Sequence, residues 1–143
     1  MDHEYIEEES LADVAFRVRA ETREALFVAA ADATLKVMVE DLDSVEPMVS
    51  RTVHDRQESC EMLLFNLLQT LIYHKDAESL LLRVRHVCVK QEDDTFTLEA
   101  ELHGEEMDPK RHPLSTDVKA VTLYRFSVSE SSSGWEAYVV LDV

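Results

Sequence analysis

The chain has 143 residues, of which 45% are apolar and 31% charged, and its 30 acidic against 14 basic side chains leave a net charge of −16. A length of this kind fits one domain over 1–143, with a core that requires neither disulfide nor structural metal. The only glycines are Gly104 and Gly134 and the only cysteines Cys60 and Cys88, each pair far apart, which excludes glycine-rich phosphate loops, the GxSxG elbow, CxxC redox pairs and knuckle-type zinc sites.

The charge balance argues against direct, tight nucleic-acid binding, which relies on clustered Lys and Arg that release counterions. Basic residues come only in small groups, such as Arg17 with Arg19 and Lys110 with Arg111. No basic start followed by an apolar run opens the sequence. The longest such run, 25–31, ends at Asp32, far short of the roughly 20 residues a membrane span needs. A cytoplasmic, membrane-free protein is the expectation, with both cysteines reduced and most simply placed in the core.

In chain order, a short extended piece around Tyr5 precedes a half-buried strand at 13–19, where Val14, Phe16 and Val18 alternate with polar residues. Thr22 can cap a helix running to about 39, with Leu26, Ala29, Ala30, Ala33 and Val37 at helical spacing. A loop at 41–47 and a short strand at 49–54 follow. Cys60, Leu64, Leu67, Leu68, Leu71 and Ile72 then mark a second helix over 58–75, whose wide apolar stripe suggests burial between layers. Beyond it the period is 2, and strands are expected at 80–90, 95–103, 118–129 and 135–141. The fold class is α+β, two helices packed on a mainly antiparallel sheet. One connection, 104–117, is long enough to suggest more than a linker.

The six histidines contain no HxH, HxxH or HExxH spacing, so a local histidine metal site is not supported. Nor is a Cys/His nucleophile, since both cysteines stand where apolar side chains belong. The sequence ends in a strand at 139–143, and alternation turns Asp142 away from the face of Val139 and Leu141. Asp142 beside a terminal carboxylate hints at a cation site; a frayed, solvated end is the alternative.

The run Gly104-Glu105-Glu106-Met107-Asp108-Pro109-Lys110-Arg111-His112-Pro113, followed by Asp117-Val118-Lys119-Ala120-Val121-Thr122, resembles the archease family. So do Ala12-Asp13, the stretch at 41–47, the leucine-rich second helix, Gly134-Trp135-Glu136-Ala137 and the final Leu141-Asp142-Val143. The resemblance covers essentially the whole chain. It implies a small non-catalytic protein cofactor that promotes guanylylation of the GTP-dependent RNA-splicing ligase and so supports its multiple turnover in tRNA processing. It also implies a divalent cation, usually calcium, held by Asp13, Asp142 and Val143, and a functional lysine at Lys119. An all-oxygen set of this kind suits calcium, magnesium or manganese. Two aspartates about 5 Å apart repel by about 3 kcal/mol at an effective dielectric near 20, a term that a dication reverses.

Two positions depart from the family pattern. Ser10 stands where the His-Thr-Ala-Asp motif has its histidine, and the histidine after Val-Lys-Ala-Val-Thr-Tyr is lost in Thr122-Leu123-Tyr124. A different class of function is also open, a chaperone-like protein that keeps an RNA-modifying methyltransferase soluble and specific. A stand-alone enzyme finds no nucleophile–base pair or cofactor loop to support it.

Overall fold

The computed structural model describes residues 2–6 and 13–143. Residues 7–12, which include the Ser10 departure and Ala12, lie outside the described residues. Strands β1 (Asp2–Ile6) and β2 (Asp13–Ala20) precede α1 (Arg23–Met38) and a 3-10 turn (Leu42–Ser44). They are followed by β3 (Val49–Gln57), α2 (Cys60–Glu78), β4 (Leu80–Glu92), β5 (Thr95–Glu106), β6 (Ala120–Ser131) and β7 (Gly134–Asp142).

The expected α+β class is the one observed. Its strands divide between two antiparallel sheets, ordered β1-β2-β7-β6 and β3-β5-β4. Each helix touches strands of both sheets, so the helices form the middle layer. That position explains their composition. In α1, Ala29, Ala30, Ala31 and Ala33 are all buried, and such small side chains let a sheet approach from either side. In α2, Leu63, Leu64, Leu67, Leu68, Leu71 and Ile72 are buried around more than one face, as expected of a helix covered on two sides.

Caps set the helix ends. The Thr22 hydroxyl accepts from the Ala25 N–H at 3.1 Å, and the Ser59 hydroxyl from the Met62 N–H at 3.2 Å. The α2 helix stops at Ser79, whose left-handed φ of 56° lets its N–H return to the His74 carbonyl. No such cap closes α1. Instead the N–H groups of Ser115 and Thr116 donate to the Met38 and Val37 carbonyls at 2.9 and 3.0 Å. A segment 77 residues downstream of the helix end (115 minus 38) thus satisfies carbonyls the helix leaves open.

Cys88 corrects one expectation. Simple alternation along 80–90 places it on the buried face, but the pairing of β4 with β5 shifts register between Val84 and His86. That bulge reverses the parity. Val87 and Val89 become core residues, 5% exposed each, while Cys88 lies half-buried on the opposite face beside Glu99. Cys60 does pack against the core, partly buried, and burial pushes its thiol pKa upward.

Candidate functional site

β2 and β7 pair so that Asp13 lies directly opposite Asp142. On the other side of β7, Ala120 of β6 is the partner of the same Asp142. Phe16 and Val18 on β2, and Val139 and Leu141 on β7, fill the core, so alternation turns Asp13 and Asp142 together onto the outer face. Both are half-buried. Direct cross-strand neighbours have Cβ atoms about 4.5–5.5 Å apart. Val143 points the other way, its side chain packed against the core.

Lys119 immediately precedes β6. Its N–H donates to the Asp142 carbonyl at 2.8 Å, and its side chain is exposed. The four sequence-derived positions, Asp13, Lys119, Asp142 and Val143, therefore meet at one end of the four-stranded sheet. Among the described residues no cluster of three or more His, Cys, Asp and Glu side chains is arranged to hold a metal ion. Asp13, Asp142 and Val143 themselves offer two carboxylate side chains and main-chain oxygens as donors.

What positions Lys119 is a lysine that sequence reasoning passed over. Lys75 lies seven residues after Leu68 on the apolar stripe of α2 and is only 6% exposed. Its ammonium donates to Asp117 Oδ1 at 2.5 Å and to the Val118 carbonyl at 2.8 Å, and pairs with Asp76 Oδ1 at 2.5 Å. Burial pulls an ammonium pKa down, but the two carboxylates outweigh it and the net direction is upward. Six residues earlier on α2 (75 minus 69), Gln69 Oε1 accepts from the Val121 N–H at 3.0 Å. Two α2 side chains thus pin the backbone on either side of Lys119. The detectable signal was a lysine in register with leucines where solvent-facing residues are not expected.

The long connection, shortened to 107–119 because β5 continues to Glu106, is tied down along its length. Asp108 organises a turn: its Oδ1 accepts from the Lys110 N–H, and its carbonyl from the Arg111 and His112 N–H groups. His112 is buried, 1% exposed. Its Nδ1 accepts from the Asp108 N–H at 2.9 Å, so Nε2 carries the proton it shares with Glu105 Oε1 at 2.8 Å. The same Glu105 oxygen accepts from the Glu46 N–H at 2.9 Å and from Arg111. Burial opposes the charge on Glu105, yet these donors prevail and hold its carboxyl at about 2. This knot joins the Asp108–Pro113 run to the 41–47 stretch, and explains two parts of the sequence that amphipathicity does not.

Gly104 has a packing role of its own. A Cβ there would lie 1.7 Å from the Leu81 carbonyl oxygen, so only glycine allows β4 and β5 to pair at this point.

The archease protein family matches residues 3–143. The archease of Methanopyrus kandleri is 33% identical over 135 residues, covering 94% of this chain and 96% of its own. That of Methanosarcina barkeri is 29% identical over 142 residues, covering 99% and 95%. The solution structure of protein 1598 of Methanobacterium thermoautotrophicum superposes with a TM-score of 0.83 at 29% identity, over 99% of this chain and 98% of that one. The crystal structure of a Thermotoga maritima archease, described as a possible chaperone, shares the fold with a TM-score of 0.60 at 15% identity. With a family match along nearly all of its length and the same arrangement of helices and sheets as its solved relative, the chain belongs to the archease protein family.

Proposed function

We propose that this chain activates a GTP-dependent RNA-splicing ligase, promoting guanylylation of the ligase and its repeated turnover without itself catalysing ligation. The observation that carries the reading is the meeting of Asp13, Asp142 and Lys119 at one sheet end, with the Lys119 N–H bonded to the Asp142 carbonyl. Asp13, Asp142 and the main-chain oxygens of Val143 would hold the cation, and this all-oxygen donor set fits calcium, with magnesium or manganese as alternatives. Bound there, the ion supplies positive charge that offsets the two facing carboxylates. Lys119, exposed beside them, offers an ammonium to an anionic group of the partner. The test is formation of the covalent ligase–GMP adduct with GTP and manganese, with and without this chain. Acceleration that Lys119→Ala abolishes supports the proposal.

A second reading, a chaperone-like partner of an RNA-modifying methyltransferase, draws on the description of the Thermotoga maritima relative as a possible chaperone. Stimulation or solubilisation of a methyltransferase that survives both chelation and Lys119→Ala favours it.

A further inference from the structure

The edge strand β6 carries an irregularity that the site does not use. Thr122 pairs with Val140, but the next paired residue, Ser127, faces Tyr138. Five residues of β6 therefore advance where β7 advances two (127 minus 122 against 140 minus 138). The excess is extruded as a bulge over 123–126. Its backbone is strained at Arg125, a non-glycine residue with φ of 55°. Among the described residues two other non-glycine residues share a positive φ, Ser79 at a helix end and Asp93 in a hairpin turn, where local structure accounts for it. At Arg125 the left-handed residue belongs to the extrusion itself, where it turns the strand out of the ladder and back.

The bulge is anchored at its root and apolar at its tip. Phe126 meets Phe65 of α2 edge to face, with centroids 5.5 Å apart. Leu123 and Tyr124 point outward, 63% and 57% exposed, and the Arg125 guanidinium lies over the Tyr124 ring at 5.2 Å. A bulge by itself protects an edge strand from unwanted pairing, as a charge or a proline on the edge also does. Leucine and tyrosine side by side in solvent do not serve that purpose. Tyr124 under the Arg125 guanidinium has the make-up of an interface anchor, an aromatic ring beside an arginine, and Leu123 adds exposed apolar area to it.

We infer that Leu123 and Tyr124 form a docking knob that seats in an apolar socket on the ligase surface; this rests on the function proposed above. The knob starts three residues from Ala120, the partner of Asp142, or about 10 Å along a strand, so one partner can cover knob and site together. Charge selects the class of occupant. A chain of net charge −16 repels both RNA and a second copy of itself, and is steered towards a protein whose surface is basic because it handles RNA.

The test compares the wild-type chain with Leu123→Ser/Tyr124→Ser, measuring binding to the purified ligase, rate of ligase–GMP formation, binding to a short single-stranded RNA, and melting temperature. The expected result is binding to the ligase weakened by about tenfold or more, with melting temperature unchanged because both side chains are solvent-facing. Wild-type chain that binds and stimulates the ligase while the double variant does so equally well overturns the knob and leaves the proposed function standing. Wild-type chain that neither binds nor stimulates the ligase overturns both. RNA binding that the double variant loses, with ligase binding intact, also overturns the knob as a protein anchor.

Discussion

Asp13 and Asp142 are direct partners across neighbouring antiparallel strands, turned to the same outer face of the sheet. Two like charges so placed oppose the pairing of β2 with β7, by at most about 3 kcal/mol at an effective dielectric near 20. Asp13→Asn should therefore raise the melting temperature of the metal-free protein. Calcium should stabilise the wild type, by about 2.7 kcal/mol at a hundredfold excess over its dissociation constant, and leave the variant unmoved. Scanning calorimetry with EDTA and with calcium reads both effects, and an equal calcium shift in the two proteins removes Asp13 from the ligand set.

Lys75 holds the approach to Lys119 from below. Lys75→Met keeps much of the side-chain volume but leaves the Val118 carbonyl without its donor. Since Asp76 and Asp117 are 57% and 69% exposed, both can rehydrate, and the expected loss is about 2 kcal/mol, below the 3–5 typical of a fully buried pair. Urea unfolding at neutral pH measures it. The ligase-activating effect should fall further than stability does, because the backbone that carries Lys119 loosens. The folded-state ammonium pKa is raised, so the contribution is complete below the unfolded value near 10.4 and fades as pH climbs past the folded one.

Glu105 gives a pH dependence of opposite sign. Its carboxyl is held at about 2 against an ordinary 4.5. The stability it supplies is present above pH 4.5 and disappears as pH falls from there towards 2, amounting to about 2 kcal/mol after allowance for its partial contact with water. Glu105→Gln should flatten the stability–pH curve in that window, and unfolding free energies at pH 2.5, 3.5 and 5 will show it. An unchanged slope would mean that the knot with Arg111 and His112 contributes little.

Gly104→Ala should be among the most damaging single changes. The added methyl meets the Leu81 carbonyl at 1.7 Å, and backbone on both strands must separate, at a cost of about 3 kcal/mol or more. A melting temperature within a few degrees of wild type would contradict the close pairing of β4 with β5.

Much of this architecture was legible in the sequence, because periodicity reports which face of an element is buried. The helices around Leu26–Val37 and Cys60–Ile72 and the strands after residue 80 follow from it, as does the outward turn of Asp142. What periodicity does not encode is partnership. Nothing local distinguishes one sheet from two, since that depends on β2 finding β7, whose paired residues lie 115 (135 minus 20) to 129 (142 minus 13) positions away. The Val84/His86 bulge sends Cys88 to the outer face because one unpaired residue reverses parity, and composition gives no warning of it. The length of the long connection marks it as more than a linker, but does not reveal that it closes the end of α1 and receives Lys75. At the site, the residues came from resemblance, while the lysine and glutamine of α2 that pin the backbone around Lys119 emerge only from three-dimensional contacts.

The central claim is tested most directly by the rate of covalent ligase–GMP formation, measured with purified ligase, GTP and manganese in the presence of wild-type chain, Asp142→Asn or Lys119→Ala. The account predicts acceleration by the wild type, and none by either variant although both fold and melt cooperatively. Acceleration of equal size by all three proteins, or by none, would contradict it.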